Sequence, residues 1–178
     1  MTRNQLLPQP DFIAEFKQWE RLNNSSIGIT GHRGLLGKVI FHRLSESNIS
    51  VKAYPGDILD NGQLESWIQG KQFSHFLHFA AIVPLVNVDK DPLKAFEVNA
   101  IGVFNLIKQI KNTQNKCWFF LASSGHIYEP SQISLMSNLT ENSKSHPSTF
   151  YGKSKRSGEL MAQYLCEKLS IPYCIGRI

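Results

Sequence analysis

Two short stretches of the chain carry side chains with chemistry to offer. Tyr151-Gly152-Lys153-Ser154-Lys155 sets a phenol and an ammonium four residues apart. On a helix that spacing puts both on one face, about one turn apart. A free phenol titrates near pH 10 and is a poor base at neutral pH, and a nearby ammonium favours the phenolate and draws its pKa down. Such a pair is a general acid–base able to move a proton to or from a hydroxyl or a carbonyl. Ser123-Ser124 follows Cys117–Ala122, an apolar run that reads as a buried strand. A serine hydroxyl at the C-terminal end of such a strand can polarise a carbonyl and orient the tyrosine. His126 lies close by and reads as a loop residue. His75 and His78 sit on or beside a predicted strand and, with His32, show no metal spacing, so no metal site is expected.

A third stretch, Thr30-Gly31-His32-Arg33-Gly34-Leu35-Leu36-Gly37, lies between a predicted strand and a predicted helix. Glycines let the backbone turn sharply and approach a pyrophosphate, and the helix N-terminus offers it free N–H groups and a positive dipole end. The spacing is GxxGxxG, and the strand–loop–helix context is what turns it into a dinucleotide loop. Gly31, Arg33, Gly34, Leu35, Leu36 and Gly37 are its candidates for holding the cofactor, and Lys155 can hydrogen-bond the cofactor ribose. An acid ending the second strand would hold the ribose of NAD, whereas a base nearby would accept the extra phosphate of NADP. Val51-Lys52-Ala53-Tyr54-Pro55 has no acid there, so the reading favours NADP, with NAD as the alternative. Arg33 is the first candidate for that phosphate and Lys52 the second.

These residues need a scaffold. Strand-like runs at Ser26–Thr30, Ile49–Ala53, His75–Ala80, Cys117–Ala122 and Pro172–Ile175 alternate with helical patterns at Leu35–Leu44, Gln63–Gln69, Asp91–Lys111 and Thr149–Leu169. Asp91 is a predicted N-cap with Pro92 as the first helical residue. Almost wholly apolar strands separated by helices predict an α/β fold, a doubly wound parallel sheet in three αβα layers, Rossmann-like. Ahead of it, Phe12, Phe16 and Trp19 give Asp11–Leu22 the spacing of an amphipathic helix. The expected division is therefore an N-terminal helix and lead-in over 1–26 and a dinucleotide-binding domain over 27–178. Ser131–Ser148, rich in Ser, Asn and Thr, is a predicted long loop of the kind found at active sites.

With 178 residues, 42% hydrophobic and 19% charged, the chain is an ordinary globular mixture rather than a disordered or fibrous one. It holds no apolar run long enough to span a bilayer, and Met1 to Gln9 is too polar for a secretory signal, so no membrane association is expected. Cys117, Cys166 and Cys174 read as reduced core thiols, which points to the cytoplasm. The net charge of +5 is scattered rather than clustered. That suits anionic small ligands better than nucleic acid.

Taken together, the motifs resemble the extended short-chain dehydrogenase/reductases, the NAD(P)-dependent nucleotide-sugar epimerase/dehydratase family. The resemblance rests on the glycine loop at 30–37, Gly56-Asp57-Ile58-Leu59-Asp60, His78-Phe79-Ala80-Ala81, Asn99-Ala100-Ile101-Gly102, Ser123-Ser124 with Ile127-Tyr128, and the tyrosine and lysine at 151 and 155. It implies that Ser124, Tyr151 and Lys155 form the catalytic set. It also implies that Asp57 and Ile58 contact adenine, that Ala80 and Ala81 line the cofactor, and that Asn99, counted with the cofactor-binding residues, supports the central helix near the active site. The glycine loop looks like that of the GDP-fucose synthases and the tyrosine segment like that of the dTDP-4-dehydrorhamnose reductases, which implies reduction or epimerisation of a nucleotide-sugar substrate. Gly125 and His126 stand where dehydratases carry an acidic pair, which argues against dehydration, and the cysteine of the GDP-fucose synthases is absent. The family pattern implies a substrate-binding lobe following Ile178. The alternative to an enzyme is therefore a cofactor-binding or regulatory subunit, with a homodimer or a partner subunit completing the site.

Overall fold

The computed structural model describes residues 25–47, 49–83, 85–113, 116–128 and 139–178. The helix expected over Asp11–Leu22 lies outside the described residues, as does the first part of the loop expected over Ser131–Ser148.

Strands β1 (Ser26–Thr30), β2 (Ser50–Ala53), β3 (His75–His78), β4 (Trp118–Ser123) and β5 (Tyr173–Arg177) form one sheet in the order β2-β1-β3-β4-β5. Every neighbouring pair runs parallel. The chain crosses back over β1 between β2 and β3, so the sheet has its switch point between β1 and β3, where open α/β sheets place a ligand crevice. Helices α1 (Leu35–Glu46), α2 (Asn61–Ile68), α3 (Leu85–Lys90), α4 (Pro92–Phe96), α5 (Gly102–Asn112) and α6 (Phe150–Leu169) make the connections. This is the doubly wound, Rossmann-like αβα architecture expected from the apolar strands.

The larger core lies on one face. There Phe76, Phe119 and Leu121 of the sheet meet Leu64 and Ile68 of α2, Leu106 and Ile110 of α5, and Ala162 and Cys166 of α6. On the other face Ile27 and Leu77 pack with Ile40 and Leu44 of α1. Full burial of a Leu, Ile or Phe side chain contributes roughly 1.5–3 kcal/mol, so the first face dominates the fold's stability.

Short polar side chains start the helices. Asp60 accepts from Gln63 N at 3.0 Å to open α2, Asp91 from Lys94 N at 2.9 Å to open α4, and Thr149 from Gly152 N at 3.0 Å to open α6. The single helix expected over Asp91–Lys111 is instead α4, a π-helical segment at Glu97–Ile101, and α5. The wider π turn carries Asn99 inward to a buried position. The short α3 ahead of it has no counterpart in the sequence pattern. Cys117 and Cys166 are buried, and burial pushes both thiols up to about 12. Cys174 corrects the expectation of three core thiols. It is exposed, because β5 ends the sheet and its neighbours Tyr173 and Ile175 are the residues that turn to the core. Among the described residues no helix is long and apolar enough to cross a membrane.

Candidate functional site

The glycine loop is built by close approach. Gly31 has φ +73°, and a Cβ there would lie 2.4 Å from the backbone N of Ala80. A Cβ on Gly37 would lie 2.2 Å from the carbonyl O of Gly31, so α1 can seat on the loop only through a glycine. Gly34 is the N-cap of α1 and offers no side chain to cap it. The first N–H groups of the helix therefore point outward with the positive end of its dipole, which is an anion cradle. A cradle emptied of Cβ atoms and left uncapped fits a dinucleotide pyrophosphate.

Two adjoining pockets flank this loop and share Gly31, Gly34, Phe79 and Ala81. The smaller, of about 280 Å³, is lined by Arg33, Asp57, Ile58 and Ala80. The larger, of about 600 Å³, is lined by Leu35, Leu36, Gly37, Ser124, Tyr151 and Lys155. The structure thus brings to one crevice every site residue named from the sequence except Asn99 and Lys52. Asn99 is buried behind it, its Oδ1 accepting from Ile82 N at 2.8 Å and its Nδ2 donating to Ser154 Oγ at 3.0 Å. It holds the segment after β3 against α6 and lines neither pocket. Lys52 is exposed on β2 and also lines neither, which leaves Arg33 as the basic residue of the smaller pocket. Sequence reasoning missed Tyr54, His32 and Val98, which complete that pocket. Tyr54 donates its hydroxyl to Asp57 O at 2.9 Å and so shapes the Gly56-Asp57 turn.

In the larger pocket, Lys155 is buried on α6 and donates from Nζ to Ala122 O at 2.7 Å, at the end of β4. Burial lowers its pKa to about 8, and the carboxylate of Glu159 offsets part of that shift. Tyr151 is half-buried. Its pKa is raised by burial, with the neighbouring Ser124 hydroxyl acting in the opposite direction. This corrects the expectation of a depressed phenol: desolvation of Tyr151 outweighs its favourable neighbours. Ser124 is buried, starts the turn Gly125–Ile127, and accepts from His126 N at 3.3 Å. His126 is exposed and sets its ring edge-on to Tyr151, with centroids 5.6 Å apart. Gly152 explains how tyrosine and turn come together, since a Cβ there would lie 2.3 Å from His126 O.

Two further arrangements brace the site. His78 is fully buried, its Nδ1 2.7 Å from Thr30 Oγ1, and burial with the nearby Lys155 charge pulls its pKa down to about 3. His75 bonds Ser74 Oγ through Nδ1 at 2.9 Å, and both histidines are structural. On the far side of Lys155, the buried Glu159 receives Arg177 Nε at 3.1 Å and Arg156 Nη1 at 2.7 Å. Arg177 also donates to Tyr128 OH at 3.1 Å and lies over its ring at 5.2 Å. No group of three or more metal-ligating side chains occurs among the described residues.

The profile of the NAD dependent epimerase/dehydratase family matches residues 27–178. The chain belongs to that family. A UDP-glucose 4-epimerase of Mycoplasma genitalium is 35% identical to this family member over 116 residues, which are 64% of this chain and 33% of the relative. Among solved structures, dTDP-4-dehydrorhamnose reductase of Bacillus anthracis in complex with NADP superposes with a TM-score of 0.73 at 24% identity, covering 86% of this chain and 52% of that one. UDP-glucose 4-epimerase of Thermus thermophilus in complex with NAD gives a TM-score of 0.75 at 20% identity, covering 85% and 54%. At these identities the structures bear on the fold alone. The epimerase/dehydratase chain described here therefore spans about a third of that curated relative and about half of those solved structures.

Proposed function

We propose that this chain provides the cofactor-binding and acid–base part of an NAD(P)-dependent reductase or epimerase acting on a nucleotide sugar. The observation that carries the reading is the convergence of Ser124, Tyr151 and Lys155 on the pocket that opens from the glycine loop. The nicotinamide, when bound, supplies or accepts the hydride. The uncapped start of α1 binds the pyrophosphate, and Asp57, Ile58 and Ala80 enclose the adenosine end. Arg33 favours NADP by meeting its ribose phosphate. Ser124 holds the substrate oxygen. Tyr151 gives a proton to that oxygen or takes one from it, and Lys155, buried beside it, supplies the positive field that stabilises the phenolate as the proton leaves. A raised phenol in the free protein suits a residue that must be protonated before it acts as an acid. The reading sets the protein in the cytoplasm, where the reduced thiols agree with it.

Titration of the full chain with NADPH and NADH, followed by nicotinamide fluorescence, tests the first half. Saturable binding of either supports it, and no binding of both rejects it. Tyr151→Phe tests the second half, since loss of turnover with cofactor binding retained is expected. Full turnover by that variant rejects the assigned acid–base.

A further inference from the structure

Two buried side-chain atoms near the larger pocket have no hydrogen-bond partner among the described residues: Nε2 of His78 and Oγ of Ser123. Both lie on the face of the sheet that carries the main core. Phe76 of β3 is in register with Phe119 of β4, and both are in that core, so strand alternation turns His78 and Ser123 to the same side. His78 is in register with Leu121, and Ser123 follows two residues on. Neighbouring strands about 4.8 Å apart and a rise of about 6.6 Å over two residues set the two Cα atoms about 8 Å apart. Lys155 reaches the same place from α6, its Nζ 2.7 Å from the carbonyl O of Ala122, the residue before Ser123. His78, Lys155 and Ser123 are 1%, 5% and 7% exposed, so bulk water does not reach them freely.

Thr30 decides which nitrogen of the ring carries the proton. Its Oγ1 accepts from Ala80 N at 3.4 Å and lies 2.7 Å from His78 Nδ1. Donation from the Thr30 hydroxyl to Nδ1 uses the hydroxyl's one proton and leaves the ring's own proton on Nε2. The reverse arrangement would strand the Thr30 proton. His78 Nε2 is then a buried N–H in need of an acceptor. The ammonium of Lys155 carries three N–H groups, of which Ala122 O takes one. Asn99 and Ser154, buried in the same layer, are spent on each other and on Ile82 and Tyr151. Two donors therefore face one serine hydroxyl, and two donors cannot satisfy each other.

We propose that one internal water molecule sits between His78 Nε2, Ser123 Oγ and Lys155 Nζ. It accepts from the imidazole and from the ammonium and donates to the serine. Two hydrogen bonds in line span about 5.6 Å, which suits side chains converging from Cα atoms about 8 Å apart. Three partners is the usual number for a buried water. The ammonium is thereby held by Ala122 O and the water, and its third N–H is left for the larger pocket, which Lys155 lines. That use of the third N–H rests on the catalytic reading of Lys155 given above; the water site does not.

The test is NMR on the full chain with isotope-labelled histidine, without cofactor or substrate. The His78 ring is identified by NOEs to the ring of Phe119, on which it stacks at 6.3 Å. Its long-range proton–nitrogen correlations should show the Nε2–H tautomer. Its Hε2 proton should give a cross-peak to the water line with opposite signs in laboratory-frame and rotating-frame spectra, the mark of a bound water. An Nδ1–H tautomer overturns the proposal. So does an Hε2 proton with no water cross-peak, or with one whose sign shows exchange with solvent. Ser123→Val puts methyl groups in place of the acceptor, and it should abolish the cross-peak while leaving the tautomer, since Thr30 still holds Nδ1. A cross-peak that survives overturns the part given to Ser123. If that variant does not fold, the wild-type spectra still decide. NADPH titration of the same sample is independent: failure there removes the catalytic reading of Lys155 and leaves the water site standing.

Discussion

Lys155 Nζ sits 2.7 Å from the carbonyl oxygen of Ala122, so the positive charge of α6 is pinned to the end of the strand that delivers Ser123 and Ser124. This one bond fixes how far the helix carrying Tyr151 stands from the strand end carrying the serines. It also places an ammonium where water is scarce.

That burial has a signature in the pH dependence of stability. The folded-state pKa of Lys155 is lowered from 10.5 to about 8. Between those values the unfolded chain holds a proton that the folded chain has released, so stability rises with pH through that window. The slope attributable to one such group is at most about 1.4 kcal/mol per pH unit. Lys155→Met should remove it. Urea unfolding of both proteins at pH 7.5, 8.5 and 9.5 checks this: the wild type should gain relative to the variant with each step. Cys117 and Cys166 act oppositely above their ordinary values, but they are common to both proteins and cancel in the difference. Parallel curves would mean that Lys155 is solvated in solution.

His78 supplies the acid-side counterpart. Its folded pKa is about 3 against an ordinary 6.5. As pH falls below 6.5 the unfolded state takes up a proton that the buried ring refuses, and stability is lost. His78→Asn should flatten the profile between pH 6.5 and 4.5, with the carboxylates, common to both proteins, cancelling in the difference. Because Thr30 bonds the His78 ring at 2.7 Å, the variant should also lose about 1 kcal/mol at pH 7. Chemical denaturation across that range measures both effects.

Arg33 lines the smaller pocket and Lys52 does not, so preference for the phosphorylated cofactor should rest on the arginine. Arg33→Ala should weaken NADPH binding by about tenfold, the loss of roughly one charge-assisted contact, while leaving NADH binding within about twofold. Fluorescence titration of both cofactors against both proteins decides it. An equal loss for the two would assign Arg33 to the shared part of the dinucleotide.

The site was legible in the sequence wherever its chemistry is local. Tyr151 and Lys155 announce themselves by a helical spacing, and the glycine loop by lying between a strand and a helix. Asp91 and Pro92 mark their helix start by cap chemistry alone. Legibility ended where the outcome depends on what packs against what. The phenol of Tyr151 rises rather than falls because the turn at Gly125–Ile127 and the glycine at 152 close around it, and neither contact has a local spacing. The π-helical segment is invisible to apolar periodicity, since its extra residue serves the hydrogen bonds of Asn99 to Ile82, 17 positions away. The exposure of Cys174 depends on which strand ends the sheet, a property of topology.

The ion pair of Glu159 and Arg177, 18 positions apart, gives the last prediction. Glu159 is 1% exposed and Arg177 20%, with Nε–Oε1 and Nη2–Oε2 contacts both at 3.1 Å. Breaking a buried pair by removing one partner leaves an uncompensated charge, at a cost of about 3–5 kcal/mol, whereas removing both can be nearly neutral. Arg156 still reaches Glu159, so Arg177→Met should fall at the lower end, about 3 kcal/mol. The double variant Glu159→Gln with Arg177→Met should recover part of that loss. The sign of the pH effect follows from the direction of the shift. Burial alone would raise the carboxyl of Glu159, but the hydrogen bonds from Arg177 and Arg156 outweigh it and hold the group below its ordinary range, so the pair stabilises the fold above that range and ceases to as pH falls through the folded value. Without Arg177 burial gains on the remaining partners, the carboxyl titrates higher, and acid unfolding should begin at a higher pH. A urea series on the wild type, both single variants and the double variant, run at pH 7 and again at pH 5, measures the coupling and its titration together. Strict additivity at both pH values would mean that the two side chains do not act as a pair in solution.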